Sequence, residues 1–280
     1  MNKKNKILIF GKNSFIGSNL YDYLKYKHIV NIKKYSKKNL KIVNNYDYII
    51  NCSIHKNYIS KKYSKKNDFD LNIINYLKNN YTKYIFLSSR KIYQPKSNIT
   101  ENSKIECKNH YEKNKLITEN QILNIRPDTA VILRISNLIG YKKKNSNKIH
   151  KTYIDYFLEQ ISKKILFDNK KNYKDFLDIE TFAKIVNKII NKKIVGTFNI
   201  SIGKKIFLNE INSWLLFHYK NVKELNLVKF PKFYNQKSFF LNNNKIKKSL
   251  GIKISKLKLK KECIKLSKKL FSSKFISKSK

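Results

Sequence analysis

Short continuous apolar runs alternate along the chain with longer stretches in which apolar residues recur every three or four positions. Ile7 to Phe10 is wholly apolar, as a parallel strand covered on both faces requires. Ile16, Leu20 and Leu24 then mark one face of a helix from about Phe15 to Lys27. The alternation repeats. A strand is predicted over His28 to Ile32, a buried strand over Asp47 to Ser53 and a helix from Asp68 to Asn79 with Phe69, Ile73, Ile74 and Leu77 apolar. A strand over Tyr84 to Ser89, a helix from about Asn109 to Asn124 and a strand over Ala130 to Ile135 follow. Strands alternating with helices predict an α/β fold of the Rossmann type, a doubly wound parallel sheet.

Beyond Gly140 the rhythm changes. Lys142 to Ser146 reads as a polar loop, Lys151 to Ser162 as a helix and Ile165 to Phe167 as a short strand. Asp175 to Asp178 leads into a helix with Phe182, Ile185, Val186 and Ile189 on one face. Thr197 to Ile200 is a strand and Leu208 to Phe217 a helix. The expected organisation is a dinucleotide-binding domain over 1–140 and a smaller, discontinuous α/β substrate lobe over 141–280. Segments around 173–202 return to the first domain. Leu259, Cys263, Leu266 and Leu270 form a helical stripe that reads as core packing, and the last eleven residues read as a basic tail.

The turn after the first strand carries the first chemistry. Gly11 follows the strand at once and Gly17 comes six residues later, although the chain has only six glycines. The first glycine permits a sharp reversal and the second a close approach of helix to strand. The amides and positive dipole end of the helix then face a pyrophosphate. Ser14 stands where a middle glycine is usual, and its side chain is expected to crowd that approach, so that either a slightly displaced turn admits the pyrophosphate or dinucleotide affinity is reduced. After the second strand come Lys33, Lys34, Lys37 and Lys38 with no acid. A carboxylate there would bind the ribose hydroxyls of NAD, whereas cations suit a 2′-phosphate, so NADP is mildly preferred to NAD.

Ligands of such sheets sit beyond the carboxyl ends of the strands. Asn51, Cys52 and Ser53 therefore belong near Gly11, and Ser88 and Ser89 end the fourth strand. Tyr111 and Lys115 lie four apart on a helix, hence on one face. An ammonium beside a phenol favours the phenolate, and such a phenol can give or take a proton at a carbonyl or carbinol oxygen. Ser89 can hydrogen-bond the same oxygen.

Taken in order, these motifs resemble the extended short-chain dehydrogenases/reductases, the NAD-dependent epimerase/dehydratase family. Gly11 to Gly17 resembles its G-x-x-G-F-I-G turn except at Ser14, and Asp47 to Ser53 resembles D-x-V-I-N-A-A with Cys52 and Ser53 for two alanines. Asn72 resembles the asparagine of the next helix, and Phe86 to Tyr93 the strand and loop bearing the catalytic Ser or Thr, here Ser89. Thr100-Glu101, Tyr111 to Leu116 and Glu119 resemble the catalytic helix with its lead-in. Leu133 to Gly140 resembles L-R-x-x-N-x-x-G, which brings Asn137 near the substrate. Tyr173 to Ala183, Gly196 to Gly203 and Leu241 to Gly251 resemble later family segments.

The resemblance implies Ser89, Tyr111 and Lys115 as catalytic residues. It implies a cofactor site of Gly11, Asn13, Ser14, Phe15, Ile16, Gly17, Asn51, Cys52, Ser53, Asn72, Tyr111 and Lys115, and substrate contacts from Ser89 and Asn137. Nucleotide-sugar 4,6-dehydratases carry Asp-Glu after the catalytic threonine, whereas Arg90 and Lys91 follow Ser89, which argues against dehydration. In length and in its F-G-K opening the chain resembles reductases of the dTDP-4-dehydrorhamnose type. Reduction of a 4-keto group on a nucleotide-linked deoxysugar is therefore the favoured expectation. An epimerase retaining NAD and a non-catalytic dinucleotide-binding module stay open.

The net charge of +44 raises nucleic-acid or membrane-surface binding. Arginine, the better fork for phosphates and base edges, occurs only three times, and the lysines are spread over the whole chain. A biased composition that places lysine at solvated positions accounts for the charge, so no specific nucleic-acid partner is expected, only weak polyanion affinity at low salt. No apolar run is long enough to span a membrane. Three widely spaced cysteines and five scattered histidines give neither a disulfide framework nor a metal site, and Cys52 reads as a packed small residue. A cytoplasmic enzyme is expected, with a homodimer left open.

Overall fold

The computed structural model describes residues 4–141, 151–168, 171–229 and 238–272. Its centre is a six-stranded sheet of β1 (Lys6–Phe10), β2 (Ile29–Lys33), β3 (Tyr48–Asn51), β4 (Lys83–Ser89), β5 (Ala130–Ile135) and β6 (Gly196–Ile200), in the order β2-β1-β3-β4-β5-β6. Every pairing in it is parallel. Strand β1 shows why the sequence reads as it does. Ile7 and Ile9 pack on one face with Leu20, Leu24, Ile185 and Ile189, while Leu8 and Phe10 pack on the other with Leu71, Ile74 and Ile122. All four strand side chains are fully buried, and each contributes roughly 1.5–3 kcal/mol. Helices α1 (Phe15–Leu24) and α4 (Ile179–Lys192) cover the first face, and α2 (Phe69–Tyr76) and α3 (His110–Ile125) the second. Strand β6 pairs with β5 at one edge of the sheet.

Several boundaries differ from the sequence reading. Helix α1 stops at Leu24, because the amides of Lys27 and His28 both turn back to the Leu24 carbonyl. His28 is buried there, its Nε2 2.9 Å from Asn187 Oδ1, and burial lowers its pKa. Strand β2 starts at Ile29 and runs on to Lys33. It is an edge strand, so its alternating exposure gives no continuous apolar run to mark its ends. Asp68 is the N-cap of α2, accepting the Leu71 amide at 3.1 Å.

The second lobe is α/β as expected. Asn137–Ile139 pairs in parallel with Phe176–Asp178, Tyr173–Lys174 antiparallel with Ile206–Phe207, and Ile165–Asp168 in parallel with Asn226–Lys229. Its core gathers Phe157, Phe176, Trp214, Leu215, Leu259 and Cys263. The helix Lys256–Phe271 supplies the predicted stripe, with Leu259, Cys263 and Leu266 buried against that core. Leu270 and Phe271 pack there too, so the basic tail starts later than the sequence implied. The predicted loop at 142–146 lies outside the described residues. Among the described residues no helix is long and apolar enough to cross a membrane.

Candidate active site at the carboxyl ends of the strands

The strand order reverses between β1 and β3, and the crevice beyond that point is where such sheets take ligands. Phe10 pairs with Asn51, and the Cys52 amide donates to the Phe10 carbonyl at 2.9 Å, so the glycine turn and the Asn51–Ser53 segment lie side by side. Gly11 has φ +104°, and a Cβ on it would stand 2.8 Å from the Cys52 backbone. A Cβ on Gly17 would stand 2.5 Å from the Gly11 carbonyl oxygen. Both glycines are therefore fixed by close backbone approach.

Ser14 does something the sequence did not reveal. Its backbone is ordinary extended chain, and its hydroxyl turns inward to accept the Gly17 amide at 2.8 Å, capping α1. The amides of Phe15 and Ile16 carry no hydrogen bond among the described residues and remain available to an anion. The expected crowding by Ser14 is thus not what the geometry shows: the side chain is spent inside the turn. Asn13 lies in the same turn, before the cap.

On the β3 side, Asn51 closes a small turn, its Oδ1 accepting the Ser53 amide at 2.9 Å and its Nδ2 donating to the Ser53 carbonyl at 3.1 Å. Burial, reinforced by the charge of Asp70, raises the Cys52 thiol well above its usual range, and the side chain packs against the core beside Gly17. Asn72 hydrogen-bonds Tyr35, whose ring stacks on Phe69 with centroids 3.7 Å apart. Asp70, which sequence reasoning passed over, is buried among Tyr84, Asn51 and Lys115. The Tyr84 hydroxyl donates to it at 2.8 Å, and burial pushes its carboxyl up to about 6 against the pull of Lys115.

The third part of the site is α3 against the end of β4. Asn109 and Glu112 form a capping box at its start. The helix then turns a polar face inward: Asn114 Nδ2 donates to the carbonyls of Tyr58 and Lys61, and Thr118 Oγ1 to Asp68 at 2.6 Å. Lys115 is buried, its Nζ donating to the Leu87 carbonyl at 2.9 Å over the Phe86 ring. Tyr111, half-buried, stands one helical turn before it. Ser89 ends β4, and its Oγ accepts the Lys91 amide at 3.2 Å. That bond uses a lone pair and leaves the hydroxyl proton free to donate. Asn137, half-buried, has its Nδ2 on the Asp175 carbonyl at 3.0 Å.

Beneath Ser89 lies a buried network. Ser88 donates to Glu119 at 2.8 Å, and Glu119 is paired with Arg134. Arg134 also donates to the Tyr93 hydroxyl at 2.7 Å and the Glu101 carbonyl at 2.8 Å, and Tyr93 donates to Asn199 at 2.9 Å. Residues scattered through the sequence motifs thus act as one clamp on the ends of β4, β5 and β6.

A model of the NAD dependent epimerase/dehydratase family matches residues 7–201, from β1 through β6. The chain belongs to this family. No curated protein matches it in sequence. Solved structures share the fold of this family member closely. The UDP-N-acetylglucosamine 4-epimerase of Methanobrevibacter ruminantium M1, in complex with UDP-N-acetylmuramic acid, is similar at 18% identity and TM-score 0.76, covering 96% of this chain and 99% of that one. A dTDP-glucose 4,6-dehydratase of Bacillus anthracis in complex with NAD is similar at 15% identity and TM-score 0.74, covering 96% and 97%. An RMD structure from Pseudomonas aeruginosa complexed with NADPH is similar at 17% identity and TM-score 0.71, covering 95% and 99%. The family uses a nicotinamide dinucleotide, and the two glycines whose Cβ positions are filled by neighbouring backbone, with the open amides of Phe15 and Ile16, form a cradle that fits one.

Proposed function

We propose that the chain is an NAD(P)-dependent nucleotide-sugar oxidoreductase that reduces a 4-keto group of a deoxysugar, with NADPH preferred. The observation that carries this reading is the meeting of α3 with the end of β4. Lys115 is bonded to Leu87, two residues before Ser89, and Tyr111 is one turn nearer the helix start on the same face.

Gly11, Asn13, Phe15, Ile16, Gly17 and the Asn51–Ser53 turn hold the dinucleotide, with Ser14 fixing the turn and Asn72 and Lys115 contributing beyond it. The dinucleotide, when bound, supplies the hydride. The chain's own residues manage the proton: Ser89 donates a hydrogen bond to the keto oxygen and Tyr111 delivers a proton to it. Lys115 keeps positive charge beside that phenol. The lobe of 141–280, apart from the part returning to the sheet, together with Asn137, takes the nucleotide sugar. Arg90 and Lys91 after Ser89 leave no acid at the place where elimination needs one, which favours reduction over dehydration. The exposed Lys33 and Lys34 at the end of β2 favour NADPH.

Purified protein tests this by nucleotide retention and titration. Nucleotide-free protein that binds NADPH more tightly than NADH is expected. Tightly co-purified NAD would replace the reductase reading with the epimerase one.

A further inference from the structure

Asp70 is a buried acid with no part in the proton chemistry proposed above. It is the second residue of α2 and is 5% exposed. Two side chains hold it: the Tyr84 hydroxyl donates to its Oδ1 at 2.8 Å, and Asn51 donates to the same carboxyl. Lys115 reaches this region from α3. Tyr84 and Phe86 stand two apart on β4, hence on one face of the sheet. The first touches Asp70, and the ring of the second lies 4.5 Å from the Lys115 ammonium. Lys115 is 6% exposed, and its bond to the Leu87 carbonyl uses one of its three donors. The Cys52 thiol feels both charges, raised by Asp70 and lowered by Lys115, so the two meet at the Asn51–Ser53 turn.

Stability does not account for a carboxylate at this place. Burial raises Asp70 to about 6, so at neutral pH its charge is carried at a cost to the fold. An asparagine could accept from Tyr84 and Asn51 without that cost. What the charge does supply is a counter-charge for Lys115. A buried ammonium without one gives up its proton or swings toward water. The neighbouring acid, Asp68, is already met by the Leu71 amide at 3.1 Å, the Thr118 hydroxyl at 2.6 Å and the Tyr63 hydroxyl at 3.2 Å. The other titratable groups facing Asp70 are Tyr35, Cys52, Tyr58 and Tyr84. Burial raises all four, so each stays neutral where Asp70 ionises. His55 packs edge-on to Phe69 at 5.7 Å, its Nδ1 accepting the Asn57 amide.

We propose that Asp70 is a positioning residue for dinucleotide binding: its carboxylate holds the Lys115 ammonium in the site, so that protein with Asp70 ionised is the form that binds. The inference rests on the function proposed above, in which Lys115 contributes to the dinucleotide site and keeps its charge beside Tyr111. Asp70 acts through Lys115 and not by contact with the dinucleotide. Tyr84 and Asn51 fix the carboxylate, and the carboxylate fixes the lysine.

Calorimetric titration of the full chain with NADP and with NAD tests this, at about pH 7.5 and about pH 5. At the higher pH Asp70→Asn is expected to bind about fivefold more weakly than wild type, while its thermal midpoint does not fall. A merely structural role would not part affinity from stability in this way. At the lower pH the wild-type carboxyl carries a proton as well, and the two proteins are expected to agree within about twofold. Groups common to both, such as the 2′-phosphate of NADP and the histidines, cancel from that ratio. In a Lys115→Met background, Asp70→Asn is expected to change affinity by less than about twofold. Equal affinities at the higher pH, a loss that persists at the lower pH, or an equal loss without Lys115 would overturn the proposal and leave the dinucleotide site standing. Wild type that binds neither dinucleotide would overturn both.

Discussion

Glu119→Ala is the sharpest structural test of how the site is held. Glu119 is fully buried and receives Arg134 and the Ser88 hydroxyl, the latter at 2.8 Å. Removing it leaves a guanidinium that is 7% exposed without its counter-charge, and a serine hydroxyl without its acceptor. Breaking one side of such a buried pair costs about 3–5 kcal/mol, a large part of the roughly 5–15 kcal/mol that stabilises an ordinary domain. Arg134 keeps its bonds to Tyr93 and Glu101, so the loss belongs at the lower end of that range. Urea unfolding followed by circular dichroism should show the midpoint falling by about 1 M or more. Replacing both partners, as Glu119→Leu with Arg134→Met, removes the stranded charge and should recover most of the loss. A midpoint shift below about 0.3 M for Glu119→Ala would refute the clamp as a stabilising element.

Two further outcomes follow from the turn and from Asp70. Ser14→Ala should cost about 1 kcal/mol by removing the α1 cap, and Ser14→Gly only a few tenths, read as thermal midpoints. Because the hydroxyl faces inward, Ser14→Gly should leave the NADPH dissociation constant within about twofold, since net hydrogen-bond differences of this kind are small. Clearly tighter binding would mean that Ser14 competes with the ligand for the Gly17 amide. Asp70 ionises at about 6 in the fold, against about 3.9 in the unfolded chain. The folded state keeps that proton longer, so this group's contribution to stability is full at low pH and is lost as pH rises from about 4 to 6. Asp70→Asn should therefore gain stability relative to wild type between pH 4 and pH 7, and a constant difference in midpoint would contradict the assignment.

The fold was legible because the central strands are buried on both faces. Ile7 to Phe10 and Ala130 to Ile135 announce themselves as continuous apolar runs, and the glycine turn follows the first of them. The edge strand β2 and the end of α1 were less legible, since a half-exposed strand beside lysine-rich turns carries little contrast. Helix α3 has a weak apolar stripe because its inner face is polar: Asn114, Lys115, Thr118 and Glu119 are all buried. Family resemblance picked out Glu101, Glu119 and Arg134 in the sequence, but only the fold reveals that they are parts of one clamp with Tyr93 and Asn199. Asp70 lies within the predicted helix of Asp68 to Asn79, where nothing in the apolar pattern marks its burial.

The central claim is that Tyr111 moves the proton at the reacting oxygen. Tyr111→Phe keeps the ring and removes only the hydroxyl. Measured on whichever nucleotide sugar the wild type turns over, kcat should fall by about 10²–10⁴-fold while NADPH affinity holds. Unchanged turnover in Tyr111→Phe would contradict the account.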